Sequence, residues 1–145
     1  MAATAYELPH HECVDLANRQ TVGRLCIVDH GYPLAFPVNY RLTRADDVVN
    51  IVMRVSPRAA IGAYHGPASF EVDRIDLDRG NAWSVIVRGQ LRNSTDTDRL
   101  PETFPMVPEG RYQWKVLEVA AISGRRFSGT VDTGCFSVDW QPSEN

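Results

Sequence analysis

The sequence predicts a mainly β domain: a closed or nearly closed antiparallel barrel of about six strands, with a few short helices beside it. Three observations support this. Segments rich in Val, Ile, Leu and Phe recur along the chain, several with period-two alternation. Turn residues such as His30-Gly31-Tyr32-Pro33 and Asp78-Arg79-Gly80-Asn81 separate them at hairpin spacing. Helical periodicity is confined to short stretches.

The first element, Pro9 to Gln20, reads as a helix. Cys13, Leu16, Ala17 and Gln20 share one side, and Glu12 and Asp15 stand early, where the helix dipole favours acids. "TVGRLCIVD" follows as a strand, and "PLAFPVNYRL" returns antiparallel to it after the His30–Pro33 turn. That second strand contains Pro37. Proline has no N–H to give a ladder, so the strand lies at an edge or its backbone is open to a ligand. "RADD" turns into "VVNIVMRV", with Val49, Ile51, Met53 and Val55 on one face and Asn50, Val52 and Arg54 on the other. Ser56-Pro57 before "AAIGAY" reads as N-cap, N1 and helix. Gly66-Pro67 ends it, and "ASFEVDRIDL" is the next strand. "AWSVIVRGQLRN" is the longest strand, with Trp83, Val85, Val87 and Leu91 on one face. Asn93 to Leu100 reads as a short capped helix, 101–110 as a proline-rich loop, and "YQWKVLEVAAISGRRF" as one or two further strands. The tail after Ser128 is polar and expected to be loosely ordered.

With 145 residues, 43% hydrophobic and 23% charged, a single domain spanning 1–145 with a real core is expected. No apolar run reaches the ~18 residues of a membrane span, and "MAATAYELPHHE" has neither the basic nor the apolar region of a secretory signal. A net charge of −3 argues against a broad nucleic-acid surface. Cys13, Cys26 and Cys135 are odd in number and show no CxxC spacing, which fits a reduced cytoplasmic protein without a disulfide framework or zinc site. His10-His11 lack the i, i+4 spacing of a helical metal pair, so no metal is expected. Fourteen arginines stand against one lysine, Lys115, so an anion site here would rely on Arg.

The sharpest local pattern is "MRVSPRAAI". Arg54 arrives on a strand, Ser56 starts a helix, and Arg58 sits in the first turn, where a cation is unfavourable unless an anion is near. Two guanidiniums and a hydroxyl around free helix N–H groups would cradle a phosphate; the alternative is a capped helix with two surface arginines. Pro37, Val38, Asn39 and Tyr40 form either an ordinary edge strand or a ligand-facing one. Trp83 reads first as core, and Arg125-Arg126 as a solvated strand end. Tyr40 and His65 are candidate proton donors, but no side chain is assigned a catalytic role. Walker, GxSxG and Rossmann fingerprints are absent.

Taken in order, "VGRLCIVDHGYPLAFPVNY", "NIVMRVSPR", "ASFEVDRID", "AWSVIVRGQL" and "ISGRRF" resemble the FMN-binding split-barrel family related to pyridoxamine 5'-phosphate oxidase, in particular its nitroimidazole-resistance-reductase branch. The resemblance spans residues ~7 to ~128 and rests on the ordered set rather than on one motif. It implies a six-stranded antiparallel split β-barrel, and a flavin lying along the strands at a homodimer interface. Pro37, Val38, Asn39 and Tyr40 would run beside the ring. Arg54, Ser56 and Arg58 would hold the FMN phosphate, Trp83 and Ser84 would approach the ring, and Arg125 would lie near the cofactor. The family commonly has Gly-Ser-Lys at the phosphate turn, where this chain has the shorter Ser56-Pro57-Arg58. The implied activity is FMN-dependent reduction of a small molecule. The alternatives are a deazaflavin coenzyme, a non-catalytic flavin-binding or sensing module, and a structural dimer that has lost the cofactor.

Overall fold

A computed structural model describes residues 4–95, 101, 103, 105, 106, 112–132 and 135–137. Strand β1 (Thr4–Glu7) precedes helix α1 (His10–Asn18). Then come β2 (Val22–Asp29), β3 (Tyr32–Asn39), β4 (Arg41–Ala45) and β5 (Val48–Val55), the one-turn helix α2 (Ala60–Ala63), β6 (Gly66–Asp76), β7 (Asn81–Asn93) and β8 (Gln113–Ser128). A hairpin of β9 (Thr130–Asp132) and β10 (Cys135–Ser137) ends the described chain.

The main sheet is antiparallel, in the order β3-β2-β6-β7-β8-β5-β4, with β1 added to the far end of β8. Its two terminal strands, β3 and β4, follow one another in the chain but are not paired. The sheet therefore curls into a barrel that hydrogen bonds leave open at one seam, as a split barrel requires. The six expected strands are β2, β3, β5, β6, β7 and β8. The eight-stranded sheet adds β1 and β4 to them.

The break between β3 and β4 falls at Tyr40. The sequence reads as one strand through this point, but the Tyr40 N–H donates to the Thr21 carbonyl (3.1 Å) and its hydroxyl to that of Ala17. Thr21 directly precedes β2, and its bond from Tyr40 continues the Val22–Asn39 register by one rung, at the point where β2 itself begins. The ring is fully buried, edge-on to Phe70 at 4.9 Å between centroids and 65° between planes. Tyr40→Phe is expected to cost about 1–2 kcal/mol, since the buried Ala17 carbonyl keeps only a long 3.4 Å bond from the Gln20 N–H. A urea titration measures this, and an unchanged midpoint would show that the bond adds no stability.

Alternation builds the interior. Leu25 and Ile27 from β2, Ile51 and Met53 from β5, and Phe70 and Val72 from β6 are all buried in one cluster. Helix α1 closes one end with Cys13, Leu16 and Ala17. Opposite Arg88 and Gly89 of β7, the β8 register slips: Arg88 faces Ala121 and Gly89 faces Val119, so Ala120 is the extra residue of a bulge. A Cβ on Gly89 would come within 2.0 Å of the Glu118 carbonyl oxygen, so the bulge needs glycine there. The bulge bends β8, so one 16-residue strand can serve both β5 and β1.

Three local expectations change. The helix after Ser56 begins only at Ala60, with Ala59 at its N-cap, because Ser56 closes a turn of its own. The Ser56 side chain accepts from the Arg58 N–H (3.3 Å), and its carbonyl accepts from the Ala59 N–H (3.2 Å). Gly66-Pro67 opens β6 instead of lying before it. Asn93 is the last residue of β7 and Ser94 donates its N–H to the Trp114 carbonyl (3.0 Å), so no helix starts there; residues 96–100, the rest of that expected helix, lie outside the described residues. The expected 101–110 loop is described only at 101, 103, 105 and 106. In the tail, β9 and β10 pair, while 133–134 and 138–145 lie outside the described residues.

Candidate functional site

The ten residues singled out from the sequence separate into three places. Val38, Tyr40 and Trp83 belong to the core, at 4%, 0% and 8% exposure. Their side chains turn inward, away from any ligand on the outside of the barrel, because they occupy the interior positions of their strands. Burial also pushes the Tyr40 phenol well above its ordinary pKa. Together with its bond to Ala17, this makes it a structural hydroxyl rather than a proton donor. His65 is exposed just before β6.

The second place is the outer face of the sheet. Strand register sets Pro37, Arg24, Glu71, Ile86 and Ser123 in one row across β3, β2, β6, β7 and β8. Asp73, Ser84, Arg125 and Glu7 make the adjacent row across β6, β7, β8 and β1. Pro37, Ser84 and Arg125 thus share a face although they are far apart in sequence. Asn39 stands half-buried at the end of β3. Glu7, Leu8, Ser84, Ile86, Arg125 and Phe127 help line a groove of about 570 Å³ on this face. Sequence reading missed the ion cluster beside Pro37: Arg24 Nη1 lies 2.7 Å from Glu71 Oε2 and 3.3 Å from Asp73 Oδ1. Burial raises the Glu71 carboxyl above its usual range, with the hydrogen bond from Arg24 opposing it. The signal available in the sequence was charge at positions 24, 71 and 73, each on the polar side of an alternating strand.

The third place is the β5–α2 corner. Arg54 pairs with Trp114 in the β5–β8 ladder. Its guanidinium carbon lies 4.7 Å from the centre of the Tyr112 ring and 5.0 Å from that of Trp114, in reach of a cation–π attraction to both. Nη1 donates to the Thr103 carbonyl at a long 3.4 Å. Nε is buried and has no hydrogen-bond partner among the described residues. Two and four residues on, Ser56 and Arg58 form the tight turn described above, with Arg58 exposed. Arg54, Ser56 and Arg58 therefore follow one another into a turn and not into a helix start.

The corner and the groove are not together within one chain. Roughly eleven residues of β8 separate Trp114, beside Arg54, from Arg125, beside Ser84. That is roughly 35 Å of strand at ~3.3 Å per residue.

Lys115 was not foreseen as special. It pairs with Met53 and Asn93 in the ladders, faces inward and is fully buried. Nζ donates to the Tyr64 carbonyl (2.6 Å) and to Asn93 Oδ1 (2.7 Å). Burial lowers its pKa.

The sequence profile described as Pyridoxamine 5'-phosphate oxidase matches residues 9–127. The chain belongs to the pyridoxamine 5'-phosphate oxidase family. No curated protein matches it significantly. Among solved structures, this member of the family is similar to an FAD-binding protein from Mycobacterium smegmatis: 25% identity, TM-score 0.71, covering 85% of this chain and 98% of that one. A putative pyridoxamine 5'-phosphate oxidase from Corynebacterium glutamicum shares the fold at 22% identity and TM-score 0.70, over 86% and 94% of the two chains. So does a putative 5-nitroimidazole antibiotic resistance protein from Bacteroides thetaiotaomicron, at 10% identity and TM-score 0.64, over 88% and 90%. No described helix of this oxidase-family chain is long and apolar enough to cross a membrane.

Proposed function

We propose that the protein is a flavin-dependent oxidoreductase that reduces a small molecule, with FMN as its cofactor and a homodimer as its working form. Its family and its likeness to an FAD-binding protein support a flavin. The observation that carries the reading is Arg54. A half-buried guanidinium lies against two aromatic rings while its Nε lacks an acceptor among the described residues, and Ser56 and Arg58 follow it two and four residues on. Buried donors are normally satisfied, and a phosphate would satisfy this one. The residues of the corner therefore fit the phosphate end of a flavin nucleotide.

The roles follow from that fit. Arg54 and Arg58 would neutralise the phosphate, with Arg54 preorganised by Tyr112 and Trp114. The Ser56 hydroxyl would add a neutral donor, whereas Pro57 has no N–H and the Arg58 N–H is given to Ser56 Oγ. Pro37, Ser84 and Arg125 would border the ring. The flavin, when bound, supplies the hydride or electron chemistry. FMN is too short to touch Arg54 and Arg125 of the same chain, so a second copy would complete the site. Exposed Val22, Val28 and Ile86 on the outer face, at 44%, 56% and 45%, suit such a contact. Cys13 and Cys26 are free thiols, in keeping with a reducing cytoplasm.

The purified protein is expected to be yellow and dimeric by light scattering, with a chromophore reducible by a nicotinamide donor. Mass analysis of the chromophore released on denaturation would separate FMN from FAD, the ligand of the mycobacterial relative, and from a deazaflavin. A colourless monomer that ignores all three added cofactors would overturn the proposal. Bound flavin without turnover would favour the sensing-module alternative.

A further inference from the structure

Lys115 is the chain's one lysine, and it is spent in the interior. A fully buried ammonium needs a reason, because burying a charge without a counter-ion is costly. Among the described residues the acceptors of Nζ are both neutral: the carbonyl of Tyr64 and the side-chain amide of Asn93. Asn93 is the last residue of β7, and Tyr64 is the C-cap of α2. The ammonium therefore fastens three elements: its own strand β8, the end of β7 and the end of α2.

Helix α2 is in turn pressed against the Ser56–Arg58 turn. A Cβ built on Gly62 would lie 2.3 Å from the Ser56 carbonyl oxygen and 2.7 Å from the Pro57 Cα. The Gly62 N–H donates to the Ala59 carbonyl (2.9 Å), and the Ala59 N–H donates to that of Ser56 (3.2 Å). Only glycine permits this approach, so the turn cannot shift unless α2 shifts too. A helix of one turn has almost no stability of its own, so its place must come from its attachments. Ile61 anchors its middle in the core, and at its far end Lys115 holds the Tyr64 carbonyl.

We propose that Lys115 is the positioning residue of the anion turn: through Tyr64 and α2 it sets the geometry in which Ser56 and Arg58 meet a phosphate. This rests on the reading of the corner as a phosphate site. Lys115 touches neither the phosphate nor the reacting ring in this scheme. Its effect should appear in discrimination for the phosphate group, not in affinity for the ring system.

The test compares FMN with riboflavin, which has the same ring and no phosphate. Dissociation constants come from quenching of flavin fluorescence for wild type, Lys115→Met and Gly62→Ala. Wild type is expected to prefer FMN. Lys115→Met should reduce the FMN-to-riboflavin preference at least tenfold while leaving riboflavin binding within about twofold. It should also speed amide hydrogen exchange at Ala59 and Gly62 but not in the β6–β7 ladder. Gly62→Ala disturbs the same contact from the other side and should repeat the loss of preference, which keeps the test alive should Lys115→Met fail to fold. Equal loss of FMN and riboflavin binding, or an unchanged preference in a folded variant, would overturn the assignment of Lys115 alone. A wild type that binds riboflavin as tightly as FMN would overturn the phosphate reading of the corner, and this proposal with it.

Discussion

Replacing Arg54 with alanine is expected to weaken FMN binding by roughly ten- to a hundredfold. Loss of a charged partner of a phosphate costs about 1.5–3 kcal/mol, and each 1.4 kcal/mol is a factor of ten. Arg54 belongs at the upper end of that range because it is already held in place. The Tyr112 and Trp114 rings lie 4.7 and 5.0 Å from its guanidinium carbon, so little side-chain entropy remains to be lost on binding. Arg58 is exposed and less constrained, and Arg58→Ala belongs at the lower end. Lysine at position 54 is not a rescue, since an ammonium can neither stack in the same way nor offer two parallel donors. Isothermal titration with FMN measures all three. If Arg54→Ala binds FMN like wild type, the β5–α2 corner is not the phosphate site.

Phe70→Ala should have the largest effect on stability, about 3–5 kcal/mol. Phe70 is fully buried in β6, edge-on to Tyr40 at 4.9 Å, at the point where α1, the β3–β4 break and the sheet meet. Its removal leaves a cavity that rigid strands cannot collapse into, and it strips Tyr40 of its packing partner. Domain stabilities are typically 5–15 kcal/mol, so this one truncation would remove a large fraction of the total. Urea unfolding followed by tryptophan fluorescence gives the shift in midpoint. A change below ~1 kcal/mol would mean that the interior around the ring relaxes freely, contrary to the close packing described.

The strands were legible wherever one face is buried and the other is not. Trp83, Val85, Val87 and Leu91 were read as one face of a strand and form it. Strand β1 was not legible, because four residues of "TAYE" carry almost no pattern and their pairing with β8 is purely tertiary. The start of β4 was hidden for a related reason. Val38, Tyr40 and Leu42 keep the alternation going, and β3 stops only because its partner β2 starts at Val22, one rung from the Tyr40–Thr21 bond. The phosphate corner was half legible. The residue types at 54, 56 and 58 drew attention, but propensity alone placed the helix start at Pro57, whereas local bonding to Ser56 delays it to Ala60. Nothing local marks Lys115 as buried, since a lysine in a strand normally points to water. Nor does the spacing of Ser84 and Arg125 reveal that they face one another, which only the β7–β8 register decides.

The seam between β3 and β4 has a consequence for how the molecule can associate. An unpaired strand margin is ordinarily a template on which a neighbouring chain can grow a continuous sheet. On β3 that margin carries Pro33 and Pro37, two positions with no amide hydrogen to offer. An incoming strand would find gaps in the row of donors and could not knit on in register. The prolines thus guard the β3 side of the opening against fibre-like stacking.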